Sequence, residues 1–491
     1  MSDLLPPNIL FIVWDACRAD YAKARAPTFR ELAADNVSFE KAIAPSNWSP
    51  PSHASLFSGT SPSEHGTHQF NDRIDAQPLL ESLNESYRTY SVSANGFASH
   101  RTGFHEPFDE THYTRGAEVF QDGLGVYDYG RASSKDGAAL GLDLLRGVYT
   151  HDAPIKSVCN IGSVAVEKVA KQIEVLQRVP HPLFSGGSGY TYTGARNNHH
   201  INRILELEAS TESPFFLFSN FMDTHRPYKA TADDDDSFSE IRRLNESVAP
   251  AWQFLELREN NALNQADLKR IRGLYENEVE SVDEYLAELL EVLGALGLRE
   301  DTLIVVTADH GENLGEKDDT NRVRMGHEAS MSSQLVEVPL VIAHPDLDDR
   351  TVTDPVSLND LYDLFVRASE VLSGDTDIET ILSAESPVFC ESPAVGAIQL
   401  FDRYPDAPES ALHEYVNEDA IVSYWQDWRV LAYSTGETHA WHDGEPVDFK
   451  SAPDRITDDI QRRLNLLAEG DNDTMELSKD EINQLESLGY L

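Results

Sequence analysis

Carboxylates and imidazoles stand directly behind three apolar runs. Asn8–Trp14 (NILFIVW) leads into Asp15, and Thr302–Thr307 (TLIVVT) leads through Ala308 into Asp309, His310 and Gly311. Pro214–Phe221 (PFFLFSNF) is followed by Asp223, Thr224 and His225. Continuous β-branched and aromatic character marks each run as a buried strand. In open α/β sheets, ligands bind beyond the carboxyl ends of the strands. Two Asp with one or two His at that edge could hold a divalent cation. The carboxylates supply charge, and imidazole biases the choice from calcium or magnesium towards manganese, iron or zinc. Singly, each group has a plainer account. Asp15 could cap a turn, Asp309-His310-Gly311 could close a strand, and His225 could be a satisfied buried imidazole. Their joint arrival after three strands is what those accounts leave unexplained.

A second signal is Asn47–Gly59 (NWSPPSHASLFSG). Pro50 and Pro51 suit the first turn of a helix, where missing N–H groups cost little. Ser49 is therefore expected near the N-cap, with Gly59 ending the helix. An ordinary capped helix would use Ser49 as its cap. The chemical alternative is a nucleophilic hydroxyl at a helix N-terminus, where free amides and the dipole also bind an anion. Serine becomes a useful nucleophile once metal coordination makes its alkoxide accessible at moderate pH.

These groups need a frame that delivers strand ends to one edge. A long amphipathic pattern from about Ala266 to Leu296 separates Pro214–Phe221 from Thr302–Thr307. Leu274, Val279, Val282, Leu286, Leu289, Leu290 and Leu293 form its stripe. Strand, helix and strand of this kind predict parallel crossovers in one doubly wound α/β sheet. Val338–Ala343 (VPLVIA) reads as a further strand. Residues about 115–200, with SGGSGYTYTG at Ser185–Gly194, read as an insertion near the mouth of the site. After about Ala384 the pattern turns to short strands at Ala420–Trp425, Trp428–Tyr433 and Thr438–Trp441. A terminal helix capped by Ser478 with Glu481 follows. The expected division is a catalytic domain over 1–383 and a small C-terminal antiparallel α+β subdomain over 384–491.

Composition bounds the rest. The 491 residues carry 84 acidic against 39 basic side chains, a formal net charge of −45, with 40% hydrophobic residues. That is enough apolar material for a large core. The acid excess repels nucleic acid and anionic membrane, and only eleven of the basic residues are Lys. Such a surface suits high salt, where screening weakens carboxylate repulsion. Cys17, Cys159 and Cys390 are too dispersed for a disulfide framework or a Cys-built zinc site. No signal peptide or membrane span is visible, so a soluble, cytoplasmic protein is expected. Oligomeric state is not legible.

The motifs together resemble the sulfatase branch of the alkaline phosphatase superfamily. Asp15 followed by Cys17-Arg18-Ala19-Asp20 is similar to its D-x-x-R-x-D signature, and the Ser49 segment resembles its nucleophile motif. Thr307–Glu316 resembles T-x-D-H-G-E-x-L-G-E, and Gly326-His327-Glu328 with Val338-Pro339-Leu340 resembles the later block. Asp223–Tyr228 is similar to H-x-P-Y, and the ending Leu488–Leu491 is typical. The resemblance spans roughly residues 8 to 375 and, more weakly, the appendage. It implies an alkaline phosphatase-like fold with Asp15, Asp309 and His310 as metal ligands. Ser49 stands at the nucleophile position, with His225 and His327 assisting the leaving group. His53 and Asn95 fall at substrate-binding positions. One divalent metal is implied, manganese or calcium with zinc possible, together with a small-molecule or carbohydrate ester substrate. Two departures stand out. Ala16 replaces the second Asp of many sulfatases, and His53 replaces the Arg read by the machinery that makes formylglycine. Sulfate-ester hydrolysis is thus the first reading. Phosphodiester or phosphonate hydrolysis, or phospho-group transfer by unmodified Ser49, is the second. A non-catalytic binding descendant is the third.

Overall fold

In the computed structural model, NILFIVW forms β1 (Asn8–Trp14) and is buried on both faces, as its unbroken apolar character requires. The structure describes residues 6–68, 72–74, 77–84, 86–97, 102–114, 137–151, 154–170, 193–211, 213–229, 244, 264–327, 330–382, 386–394 and 418–469. The other strands of the first half are β2 (Val37–Phe39), β3 (Ala42–Ile43), β4 (Arg88–Ser93), β5 (Glu110–Tyr113) and β6 (Phe215–Phe221). Then come β7 (Thr302–Thr307), β8 (Asn313–Lys317), β9 (Val323–Gly326), β10 (Glu337–Val338), β11 (Leu340–Ala343), β12 (Arg350–Val352) and β13 (Val356–Ser357).

Eight strands build the main sheet in the order β12-β2-β11-β7-β1-β6-β4-β5. β6 and β7 flank β1, both parallel to it, and β4 lies parallel to β6 and β5. The mostly parallel, doubly wound sheet is therefore present. β11 departs from it, running antiparallel to β7 and β2. The expected Val338–Ala343 strand is divided by Pro339, which has no N–H to give a ladder. β10 pairs with β3 in a separate small sheet, while β11 joins the main one.

Helices cover both faces. Gln265–Leu296 is the predicted long helix. Asn264 accepts the amides of Ala266 and Asp267, Asp267 reciprocates, and Gly297 at φ +71° ends it. It packs beside the helices Pro27–Ala34 and Thr193–Glu208. On the opposite face Phe57 of the Ser49–Ser58 helix and Phe365 meet Phe11 of β1. The helix Thr193–Glu208 begins at the end of the segment read as an insertion and, just past it, buries Ile201, Ile204 and Leu205 in the main core. Gly137–Thr150 and Pro154–Ala170 are helices of that segment too. Most of Ser185–Gly194, the Ser478 helix and Leu488–Leu491 lie outside the described residues.

From Val388 a second, antiparallel sheet forms: β14 (Val388–Ser392), β15 (Ala420–Trp425), β16 (Trp428–Tyr433), β17 (Thr438–His442) and β18 (Glu445–Val447), hydrogen-bonded in that order. One face takes Ile456, Ile460, Leu464 and Leu467 of the helix Asp454–Glu469. The other packs on Met331, Leu335 and Val336 of the main body. Polar ties cross the same boundary. Arg322 pairs with Glu437 (2.7 Å), Arg429 with Asp319 (2.8 Å), and Arg463 with buried Glu391. Arg463 also donates to Ser61 Oγ (3.0 Å), just past the Ser49 helix. No described helix is long and apolar enough to cross a membrane.

Candidate active site

Asp15 leaves the end of β1 with its amide held by Phe221 O of β6 (2.9 Å). Its Oδ2 accepts from Asn95 Nδ2 (2.7 Å) and Asn220 Nδ2 (3.1 Å), and lies 3.4 Å from Ser49 Oγ. Its Oδ1 has no hydrogen-bond partner among the described residues. Asp309, beyond β7, repeats the division. Oδ1 accepts the amides of Ala16 (3.2 Å) and His310 (3.0 Å), and Oδ2 has no hydrogen-bond partner among the described residues. His310 donates from Nδ1 to Gly311 O (2.8 Å), which fixes its tautomer and leaves the Nε2 lone pair facing inward. Nε2 stands 3.6 Å from Asp309 Oδ2 and 3.9 Å from Asp15 Oδ1. Gly311 is required here because a Cβ would fall 2.0 Å from Gln334 O.

One ligand atom from each of Asp15, Asp309 and His310 lies within 4.8 Å of the others, and all three residues are buried. Burial, and then the charge of Asp309, push the Asp15 carboxyl well above its usual range. Asp309 sits below its usual range because His310 and His53 outweigh its burial. Two carboxylate oxygens without a hydrogen-bond partner among the described residues, beside an imidazole nitrogen met only by the Ser49 hydroxyl in the same dry spot, are costly unless a cation joins them. The outward hydrogen bond from each ligand is the arrangement metal sites use to aim their donors. The residues fit a divalent metal ion.

Ser49 is the first residue of its helix, one position further in than expected, and Trp48 takes the extended N-cap conformation. Its hydroxyl is consequently not spent on capping. Oγ lies 3.3 Å from His310 Nε2, beside the carboxylates. Gly59 ends the helix at φ +71°, as predicted.

His53 and Asn95 are spoken for within the protein. His53 donates from Nδ1 to Ser49 O (2.9 Å), and Asn220 donates to its Nε2 (3.2 Å). Its ring meets Phe104 and Phe218 edge-on, and burial holds it below the usual imidazole range. Asn95 braces Asp15 while its Oδ1 accepts from the Phe97 amide (2.8 Å).

His327 follows β9 and faces the metal cluster, its ring 4.5 Å from His310 and 5.1 Å from His225. Its Nδ1 is 3.3 Å from both oxygens of Glu312, and its Nε2 has no hydrogen-bond partner among the described residues. His225 donates from Nδ1 to Arg226 O (2.5 Å). Burial first, then neighbouring cationic-capable groups, hold both imidazoles well below their usual range. All eight expected residues thus converge: Asp15, Ser49, His225, Asp309, His310 and His327 face one another, while Asn95 touches Asp15 (2.7 Å) and His53 stands 3.5 Å from Asp309 Oδ2. Asp223 is elsewhere, paired with Lys229 and accepting from Thr193 Oγ1 (3.3 Å).

Asn220 and Glu312 escaped sequence reasoning. Asn220 is the polar interruption in PFFLFSNF, a signal available but unused. Glu312 follows Asp309-His310-Gly311, and burial pushes its carboxyl up to about 7.

The arrangement puts a hydroxyl next to a cation site and an imidazole, with a second pair of imidazoles opposite. The Sulfatase family model matches residues 7–369. The chain is 25% identical over 221 residues to an ulvan-active sulfatase of Formosa agariphila, covering 43% of this chain and 40% of that protein. It is 32% identical over 132 residues to the low-salt glycan biosynthesis sulfotransferase Agl7 of Haloferax volcanii, 27% of each chain. The chain thus spans well under two thirds of the curated relatives it matches. In fold it is similar to the phosphonate monoester hydrolase of Agrobacterium radiobacter, with a TM-score of 0.59, 16% identity, and 96% of this chain and 98% of that chain covered. With most of its length matched by one family model and the motif residues gathered around one buried centre, the chain belongs to the sulfatase family.

Proposed function

We propose that the protein hydrolyses sulfate esters of a carbohydrate or small alcohol, with Ser49 as the attacking group. The observation that carries this reading is Ser49 Oγ, buried and uncapped, 3.3 Å from His310 Nε2 and 3.4 Å from Asp15 Oδ2. Ser49 Oγ, its proton passing to Asp15 Oδ2 (3.4 Å), attacks sulfur while the bond from sulfur to the alcohol oxygen breaks on the far side. His327 or His225, in the form that carries a proton on Nε2, gives the departing oxygen that proton, with Glu312 beside His327 Nδ1 (3.3 Å) to replace it, and water then cleaves the sulfated Ser49 to release sulfate. The amides at the start of the Ser49 helix meet the negative oxygens. Asp15, Asp309 and His310 would hold one divalent ion, manganese or calcium, with zinc as a further option. That ion supplies positive charge to stabilise the alkoxide and the transferring group. Asn95 and His53 keep Asp15 and the Ser49 helix in place. The acidic surface supports a setting of concentrated salt, and the cytoplasm is our reading of location.

A chromogenic aryl sulfate assayed in high salt is expected to be turned over. Ser49→Ala should lower kcat by about 10³-fold or more. Retention of full turnover would remove Ser49 as the nucleophile. The mass of the Ser49 peptide chooses between serine and formylglycine, and intact serine is expected because His53 replaces Arg. A second reading, transfer of the sulfuryl group to an acceptor alcohol, is favoured by the 32% identity to a sulfotransferase. A sulfated acceptor appearing at the expense of free sulfate would select it. Turnover of phosphonate or phosphodiester esters in preference to sulfates would select the phosphoesterase alternative.

A further inference from the structure

We infer that Asn47 is a positioning residue that sets His327 against Ser49. It deepens the function proposed above and rests on it for the role of His327. Asn47 lies two residues before Ser49, is fully buried, and sits in the bend that feeds the Ser49–Ser58 helix. Its Nδ2 donates to His327 O (3.0 Å) and to Ser330 O (3.2 Å). One amide group thus ties the entrance of the nucleophile helix to the backbone of His327 itself and to that of Ser330, in the loop after β9. From its other side the loop is held by the β8 strand. Asn313 Nδ2 donates to Gly326 O (2.9 Å), and Ser332 Oγ donates to Asn313 Oδ1 (2.9 Å). The β8–β9 side fixes the loop to Glu312, and Asn47 fixes it to Ser49. A leaving group is protonated only if the ring and the attacking oxygen stand on opposite sides of one sulfur atom. Small displacements of such groups are expensive in rate. Neither Asp nor Ala at position 47 can reproduce both donations. Asp would also set acceptors against two carbonyl oxygens.

The test uses Asn47→Ala and Asn47→Asp in the full chain, with 4-nitrophenyl and phenyl sulfate as good and poor leaving groups. Both variants should lose about tenfold more kcat/KM on phenyl sulfate than on 4-nitrophenyl sulfate, because only the poor leaving group depends on a well-placed acid. In a His327→Ala background Asn47→Ala should cost less than about twofold. Hydrogen exchange of the 322–332 peptide should rise at least about threefold in Asn47→Ala while that of the β1 peptide is unchanged. Equal losses on both esters, or multiplicative losses with His327→Ala, would overturn the inference. If the wild type turns over phosphate rather than sulfate esters, the same comparison is made on phenyl phosphate diesters. The proposed substrate then fails while Asn47 is still judged. If no ester is turned over, the exchange measurement decides, and unchanged protection of the loop overturns it.

Discussion

Ala16 occupies left-handed backbone at φ +62° directly after Asp15, its amide on Asp309 Oδ1 and its carbonyl accepting from Tyr275 Oη (2.8 Å). A side chain there costs roughly 1–2 kcal/mol, least for Asn and Asp. An Asp is therefore tolerated at this position, beside the three candidate ligands. Ala16→Asp should fold and raise calcium affinity relative to manganese by about tenfold, since calcium gains most from added carboxylate oxygen. Competitive metal titration measures this; an unchanged ratio would mean that a side chain at position 16 does not reach the ion. At this scale much was legible. Asp15, Asp309 and His310 adjoin strand ends, where local pattern and topology coincide. The work of His53 and Asn95 was not, because their partners Asn220 and Asp15 come from other strands and no local pattern encodes that register. Ser49 was misplaced by one residue because Trp48, a poor capping residue by type, takes the N-cap conformation.

Among the elements, the short turn Leu358–Asp360 and the helix Leu361–Val366 pack beneath the Ser49 helix and bring a half-buried acid with them. Asp360 makes no side-chain cap bond, and burial, then repulsion from Asp363, push its carboxyl up to about 7. The folded state therefore keeps a proton that the unfolded chain has lost between about pH 4 and pH 7. Stability falls as pH rises through that window, and the loss is complete above it. Asp360→Asn should melt about 2 °C higher than the wild type at pH 8, an advantage fading towards pH 4. A pH-independent difference in thermal melts would show that the acid's charge is not the cause. Local periodicity revealed the helix Gln265–Leu296 and three strands of the second sheet, since each is a regular amphipathic run. It could not reveal that β11 runs antiparallel to β7, because strand direction depends on the path of the chain between them.

Across the whole molecule, a net charge of −45 sets a self-repulsion that folding concentrates. Raising KCl from ~0.1 M to ~1 M shortens the Debye length from about 10 Å to about 3 Å. The melting temperature should rise over that range, and a flat or falling trend would refute adaptation to salt. The order of the main sheet has a further consequence for how the chain comes into being. β1 ends at Trp14, yet its two neighbours begin at Phe215 and Thr302. At ribosomal speeds of about 5–20 residues per second, roughly 15–60 s pass before the second of them emerges. For roughly 10–40 s, until Phe215–Phe221 emerges, NILFIVW is a sticky ribbon with no native mate, and its other edge stays open until Thr302–Thr307 follows, so a chaperone's grip on the nascent strand is expected over that time.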